Sequence, residues 1–219
     1  MNYRQLATEG LWTNNPALVQ LLGLCPLLAV SNSFVTSLGL GLTTLIVLIA
    51  ANMTISLVRG LLDESTRLPA QIMVIAGFVT LADLLLQAFF FEVHQRIGLF
   101  VALIVTNCTL LGRAEAFASR QPVRAATMDG AMMGAGFLLV ILLMGSIREI
   151  LGQGTLFANM HLIAGDAAAD WTIRFADTGF LFILLPPGAF MTLGCIIALK
   201  NLIDMKQQDA ATARELSHE

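Results

Sequence analysis

Charge is scarce in this chain of 219 residues. Only 12% of its residues are Asp, Glu, Lys or Arg, against about a quarter in a typical soluble domain. With 57% hydrophobic residues and a mean hydropathy of +0.79, the chain lacks the polar surface of a water-soluble fold and belongs in a bilayer. The 12 basic residues are scattered and the net charge is -3, so there is no basic footprint for a nucleic-acid partner. Cysteine and histidine number three each, with no Cys-x-x-Cys. The cysteines all lie in apolar runs, which excludes the paired framework of a disulfide-stapled secreted domain. Neither a Gly-rich phosphate loop nor a Ser/His/Asp arrangement points to nucleotide binding or hydrolysis. Residues 1–13 are too polar for a signal peptide, and the apolar run after them has no small-x-small cleavage pattern, so the first segment is expected to stay in the mature protein.

What is present is a series of apolar runs. A membrane helix needs roughly 20 such residues, so the length suits about six segments. Two are short: residues 16–30 and 97–111, 15 residues each, which as helices reach roughly 22 Å against a hydrocarbon core of ~30 Å. Residues 1–15 read as a polar lead-in ending in Asn14-Asn15 as a cap before Pro16. Pro26 follows Cys25 directly and predicts a helix break at that cysteine. Ser31, Asn32 and Ser33 stand ready to satisfy the freed backbone. Full-length spans are expected at 38–58, 69–91, 130–147 and 179–199, the last kinked at Pro186-Pro187. Gly130 and Gly134 form a GxxxG face for close packing against another helix. Residues 148–178 form the longest connection, with Trp171 suited to the headgroup level, and 200–219 form a polar tail.

The two short segments are related. Aligning residues 24–34 with 107–117 at an offset of 83 pairs Cys25 with Cys108, Leu27 with Leu110, Leu28 with Leu111 and Phe34 with Phe117. With the N-terminus in the cytoplasm, nine basic residues fall inside and three outside, which favours that orientation with both termini cytoplasmic. The expected fold is an all-α integral membrane protein of six segments in one domain. It divides into two inverted three-segment repeats, residues 16–91 and 97–199, each opening with a short or broken segment. Paired broken segments in inverted halves point to a site near the bilayer midplane. Both cysteines lie there.

A lone thiolate in hydrocarbon is an unpaired charge, so a functional cysteine at this depth should be bound to a metal. Sulfur selects zinc, copper(I) or iron-sulfur clusters. Zinc sites and clusters take four ligands, and the repeat supplies two, so the others would come from another subunit of like architecture. The competing reading is that Cys25 and Cys108 are small packing residues. Cys195 has no partner at the repeat offset and reads as packing. Asp83 is either part of an ion path or a carboxylate bonded within the bundle. His94 and His161 fall in expected loops. As function, a metal-holding membrane subunit competes with a secondary transporter, which uses the same inverted plan, and with a structural anchor.

The stretches NNPALVQLLGLCPLLAVSNS, TNCTLLGRAEAFASR and REILGQGTLF closely resemble the RnfE family, the E subunits of Rnf-type ion-translocating electron transport complexes. That family is homologous to the D subunits of the sodium-translocating NADH:quinone reductase. The resemblance covers nearly the whole chain, fading at residues 165–177 and in the tail. It implies a bacterial inner-membrane subunit that pairs with a homologous six-helix protein of opposite orientation, the A subunit, in a complex with B, C, D and G subunits. It also implies a [2Fe-2S] cluster held by two cysteines from each partner, with Cys25 and Cys108 matching on this chain. Such a complex passes electrons between NADH and ferredoxin, or towards quinone, and couples this to ion transport. No flavin or nucleotide is expected on this chain.

Overall fold

The computed structural model describes residues 8–156, 173–174 and 179–216. Their regular elements are helices apart from one two-residue antiparallel pairing, β1 (Thr155–Leu156) with β2 (Ile173–Arg174). Trp171 and His161 lie outside the described residues, so their expected places are not reached.

The centre is a pair of long helices, α2 (Phe34–Val58) and α6 (Val123–Gln153). Helix α2 starts at Ser33, whose extended backbone and side-chain oxygen, accepting from Thr36 N at 3.3 Å, close its first turn. Three of its hydroxyls are satisfied inside the helix: those of Thr43, Thr44 and Thr54 each donate to the carbonyl four residues back. Helix α6 ends where Gly154 takes the left-handed conformation at φ 67. The two helices run antiparallel at close range. A Cβ on Gly130 would meet Leu48 O at 3.2 Å, one on Gly134 would meet Leu45 Cα at 3.2 Å, and one on Gly145 would meet Ser33 O at 2.9 Å. In lipid there is little hydrophobic drive between helices, so this small-residue contact is what holds them. The GxxxG face read from the sequence is therefore a packing face, extended by Gly145.

Helix α3 (Arg67–Phe89) lies against α2 with few buried residues: Gln71, Ile75 and Val79. The next stretch differs from expectation. Helix α4 (Phe91–Val101) runs through a 3-10 turn (Ala102–Ile104) to a break, after which α5 (Cys108–Arg113) continues into a π turn (Ala114–Ala118). The expected short segment at 97–111 is thus the middle of a broken helix, and residues 91–118 together have the length and hydropathy to cross a membrane. His94, expected in a loop, sits on α4.

The first segment is broken too, but not where Pro26 suggested. Residues 14–23 are turns, and α1 (Leu24–Val30) begins one residue before Cys25. Pro26 occupies the third helical position, where its missing N–H has no intrahelical partner to lose. Asn15 does cap as expected, accepting from Ala17 N and Leu18 N, yet the turn it opens does not propagate. Residues 9–13, expected as polar lead-in, form a π turn packed on α6, where a Cβ on Gly10 would meet the Met132 backbone at 2.8 Å. The first segment is therefore two short pieces around a break, and five helices rather than six are long and apolar enough to span among the described residues.

At the C-terminal side, α7 (Leu181–Leu184) is separated from α8 (Pro186–Leu216) by extended Leu185. The interruption falls where the Pro186-Pro187 pair predicts a kink: the residue before Pro186 is extended, and Pro186 then starts the next helix because its fixed φ suits a first helical position. Helix α8 runs to Leu216, so most of the expected tail is helical. Trp12 Nε1 donates to Asp204 Oδ1 at 2.8 Å, and Lys200 stands over the indole at 5.5 Å, tying the N-terminal turn to α8.

Candidate functional site: two cysteines at meeting half-helices

Cys25 is the second residue of α1 and Cys108 the first of α5. Both short helices therefore present a thiol at their starting ends, just after a break in the chain. The break before α1 depends on Gly23, at φ 73, which a side chain would strain. Gly23 also marks the closest approach of the two loops. A Cβ there would lie 2.7 Å from Thr109 Oγ1, 2.9 Å from Phe137 Cε2 and 3.1 Å from Asn107 Oδ1. The residues flanking one cysteine thus touch those flanking the other, which the constant sequence offset alone did not require.

Burial sorts this seam. Pro26, Leu27, Asn107, Thr109 and Leu110 are buried, whereas Cys25 and Cys108 are both exposed free thiols. Rigid, packed neighbours therefore hold two sulfurs at the surface of the chain. Asn107 Oδ1 caps α5 by accepting from Thr109 N at 2.9 Å. The other half of that amide, Nδ2, and the hydroxyl of Thr109 are buried without a hydrogen-bond partner among the described residues. Leaving such a group unpaired costs about 1–3 kcal/mol. Among the described residues, no group of three or more His, Cys, Asp and Glu stands together as a metal site. Any metal at the thiols needs ligands from outside the described residues.

Charged side chains fix the half-helices from both ends of the bundle. Arg148, expected in the outer loop, is inside α6 and 1% exposed. Its guanidinium donates to Leu28 O at 3.3 Å and Ser31 O at 3.0 Å, the carbonyls that end α1, and to Ser31 Oγ at 2.8 Å. It also donates to Ile183 O at 3.0 Å and Leu184 O at 2.6 Å in α7. Next to it, Glu149 accepts from Phe34 N at 2.7 Å at the start of α2. At the opposite end, Glu115 in the turn after α5 accepts from Gln71 at 2.9 Å and pairs with Arg67 at 3.4 Å. Arg113, at the end of α5, makes a two-pronged ion pair with buried Asp129 of α6 and lies 5.1 Å from the Phe117 ring. Arg113 and Glu115 are thus structural pairs.

The remaining candidates lie elsewhere. Asp83 Oδ1 is 3.0 Å from His94 Nε2, joining α3 to α4, which is the bonded carboxylate allowed for from the sequence. Cys195 is exposed on α8 and lines an apolar hollow of about 610 Å³ with Leu151, Phe182 and Met191, apart from the paired thiols. Reading by sequence missed Arg148, Glu149 and Asp129. The first two carried a signal, adjacent opposite charges closing an apolar run, which was taken for a loop boundary. Asp129 carried none that spacing could reveal.

Apolar helices in this number, built round a close-packed antiparallel pair with broken helices beside it, define a multi-pass membrane protein. Within that class the chain belongs to one family: the profile described as "Rnf-Nqr subunit, membrane protein" matches residues 3–197. It is 57% identical over 205 residues, 93% of this chain and 86% of the relative, to the E subunit of the ion-translocating oxidoreductase complex of Pseudomonas aeruginosa. The protein of that name from Cellvibrio japonicus is 51% identical over 218 residues, 98% of this chain and 92% of the relative. The one from Thioalkalivibrio sulfidiphilus is 49% identical over 216 residues, with 98% and 95% covered.

Proposed function

We propose that this chain is the E subunit of an ion-translocating oxidoreductase complex and relays electrons through a [2Fe-2S] cluster held at Cys25 and Cys108 together with two thiols of a homologous partner, the A subunit. The observation that carries the reading is the meeting of the two cysteine loops at Gly23, Asn107 and Thr109, with both sulfurs exposed above a buried seam. The donor set fits: two soft ligands at one surface make half of a four-thiolate site, and a like surface on a partner makes the other half. When bound, the cluster supplies a one-electron carrier. The chain's own residues hold the thiols in place, with Arg148 gripping the end of α1 and Glu115 and Arg113 gripping the end of α5.

The six-segment, inverted arrangement belongs to this reading. Each repeat opens with a broken helix, 9–30 and 91–118, followed by a central span, α2 or α6, and then an outer one, α3 or α8. The antiparallel course of α2 and α6 supports the inversion. The complex would sit in the bacterial inner membrane with both termini of this chain cytoplasmic. It would pass electrons between NADH and ferredoxin, or towards quinone, and couple this to ion movement. The B, C, D and G subunits would supply the chemistry that this chain lacks.

The decisive measurement is EPR on the anaerobically purified pair of homologous subunits after reduction, with iron and sulfide analysis. An iron-sulfur signal lost in both Cys25→Ser and Cys108→Ser is expected. An unchanged signal in both variants would sink the assignment.

A further inference from the structure

Each of the two thiol-bearing half-helices is held at its far end by an arginine, and the two arginines differ in what they meet. Arg113, the last residue of α5, is neutralised by Asp129. Arg148, 1% exposed within α6, donates to four backbone carbonyls and the Ser31 hydroxyl, and no carboxylate accepts from it among the described residues. Neutral acceptors satisfy its N–H groups and leave its charge uncancelled. Ionisable side chains inside membrane spans are costly and rare. The charge is also close to one thiol. Arg148 Nη1 lies 3.3 Å from Leu28 O, and Leu28 follows Cys25 by three residues, about 4.5 Å of rise, on the same helix. The guanidinium therefore stands roughly 10 Å from Cys25 along α1. The neighbouring carboxylate, Glu149, accepts from Phe34 N, three residues beyond the Ser31 that Arg148 holds, so it is met farther along the chain from Cys25.

Resting on the cluster reading above, we infer that the buried positive charge of Arg148 acts through space on the group held at Cys25 and Cys108 and raises its reduction potential. Reduction by one electron, with no bond made or broken, adds one negative charge at the thiolates. In a buried setting of low dielectric, salt and water screen the attraction between that charge and the guanidinium only weakly. The reduced state gains more than the oxidised one, and the net charge around an iron-sulfur group is one of the determinants of its potential. The clamp and the charge are separable: gripping two helix ends depends on the planar fork of the guanidinium, whereas the potential depends on its charge alone.

The test is a redox-potentiometric titration of the intact complex, purified anaerobically, with dithionite as reductant and EPR detection. Arg148→Lys weakens the grip on the helix ends but keeps the charge. Arg148→Gln keeps side-chain N–H donors and removes the charge. Arg148→Lys is expected to hold the wild-type midpoint even as its thermal stability falls. Arg148→Gln is expected to lower the midpoint by a tenfold change in the reduced-to-oxidised ratio, which is about 59 mV for one electron. Glu149→Gln removes the opposite charge and should move the midpoint upward. A wild-type or raised midpoint in Arg148→Gln, or equal shifts in Arg148→Lys and Arg148→Gln, overturns the inference while the cluster stands, because the residue is then a structural clamp only. Should Arg148→Gln not assemble, Glu149→Gln decides, and an unchanged or lowered midpoint there overturns the inference. If the wild-type signal does not depend on Cys25 and Cys108, the cluster reading fails first and takes this one with it.

Discussion

Among the described residues, Arg148 makes five hydrogen bonds from a side chain that is 1% exposed, and none of these acceptors is a carboxylate. A planar guanidinium with five N–H groups suits this task, since it reaches the ends of α1 and α7 at once. Arg148→Met would leave those helix-end carbonyls unpaired at about 1–3 kcal/mol each. The expected outcome is a loss of several kcal/mol of stability, read as a fall in thermal unfolding midpoint of the detergent-solubilised protein. Arg148→Lys should fall between the two, because one ammonium cannot serve both helix ends. A wild-type midpoint in Arg148→Met would refute the clamp. At this scale the sequence was legible where chemistry is rare and opaque where it depends on distance. Cys25 and Cys108 stand out because cysteines are few, while Arg148 reads as a loop residue because its acceptors, backbone carbonyls and the Ser31 hydroxyl, lie up to 120 positions away.

At the scale of elements, the close contact of α2 with α6 depends on hydrogen atoms where other residues have side chains. A Cβ on Gly134 would come within 2.5 Å of Leu45 Cδ1 and 3.2 Å of its Cα. Gly134→Val must therefore push the helices apart and should lower the unfolding midpoint and the amount of assembled protein. Gly194→Ala on α8 meets nothing within 4 Å and should leave both unchanged or slightly improved, since alanine is the better helix former. Equal effects of the two substitutions would contradict packing as the reason for Gly134. The GxxxG spacing announced this contact, and the short apolar runs announced broken helices. Their detailed form was not readable. Pro26 was given the break, but a proline within the first helical turn is harmless, and the break belongs to Gly23, whose positive φ no periodicity discloses. The Pro186-Pro187 pair was readable by contrast: the span breaks at Leu185, the residue before Pro186.

For the whole molecule, the antiparallel course of α2 and α6 has a consequence for topology. If both cross the bilayer, the end of α2 and the start of α6 must lie on the same face. The short contact between them agrees: Ser56 Oγ donates to Gln121 O at 2.6 Å. Arg59 and Arg67 flank the connection after α2, and Arg120 and Arg124 the start of α6; in the orientation proposed above, that face is cytoplasmic. Epitope tags inserted after Glu64 and after Gln121 should therefore both be protected from protease in intact spheroplasts and digested in inside-out vesicles. A tag placed between residues 157 and 172 should show the reverse pattern. The same arrangement sends α1 and α5 in opposite directions from a shared starting level, since α1 leads into the start of α2 and α5 towards the start of α6. Their first turns, with Cys25 and Cys108, then fall between the two faces and not at either one. Were the tags at 64 and 121 found on opposite faces, the inverted plan would fail, and with it the reason for two thiols from distant parts of the sequence to share a depth in the membrane.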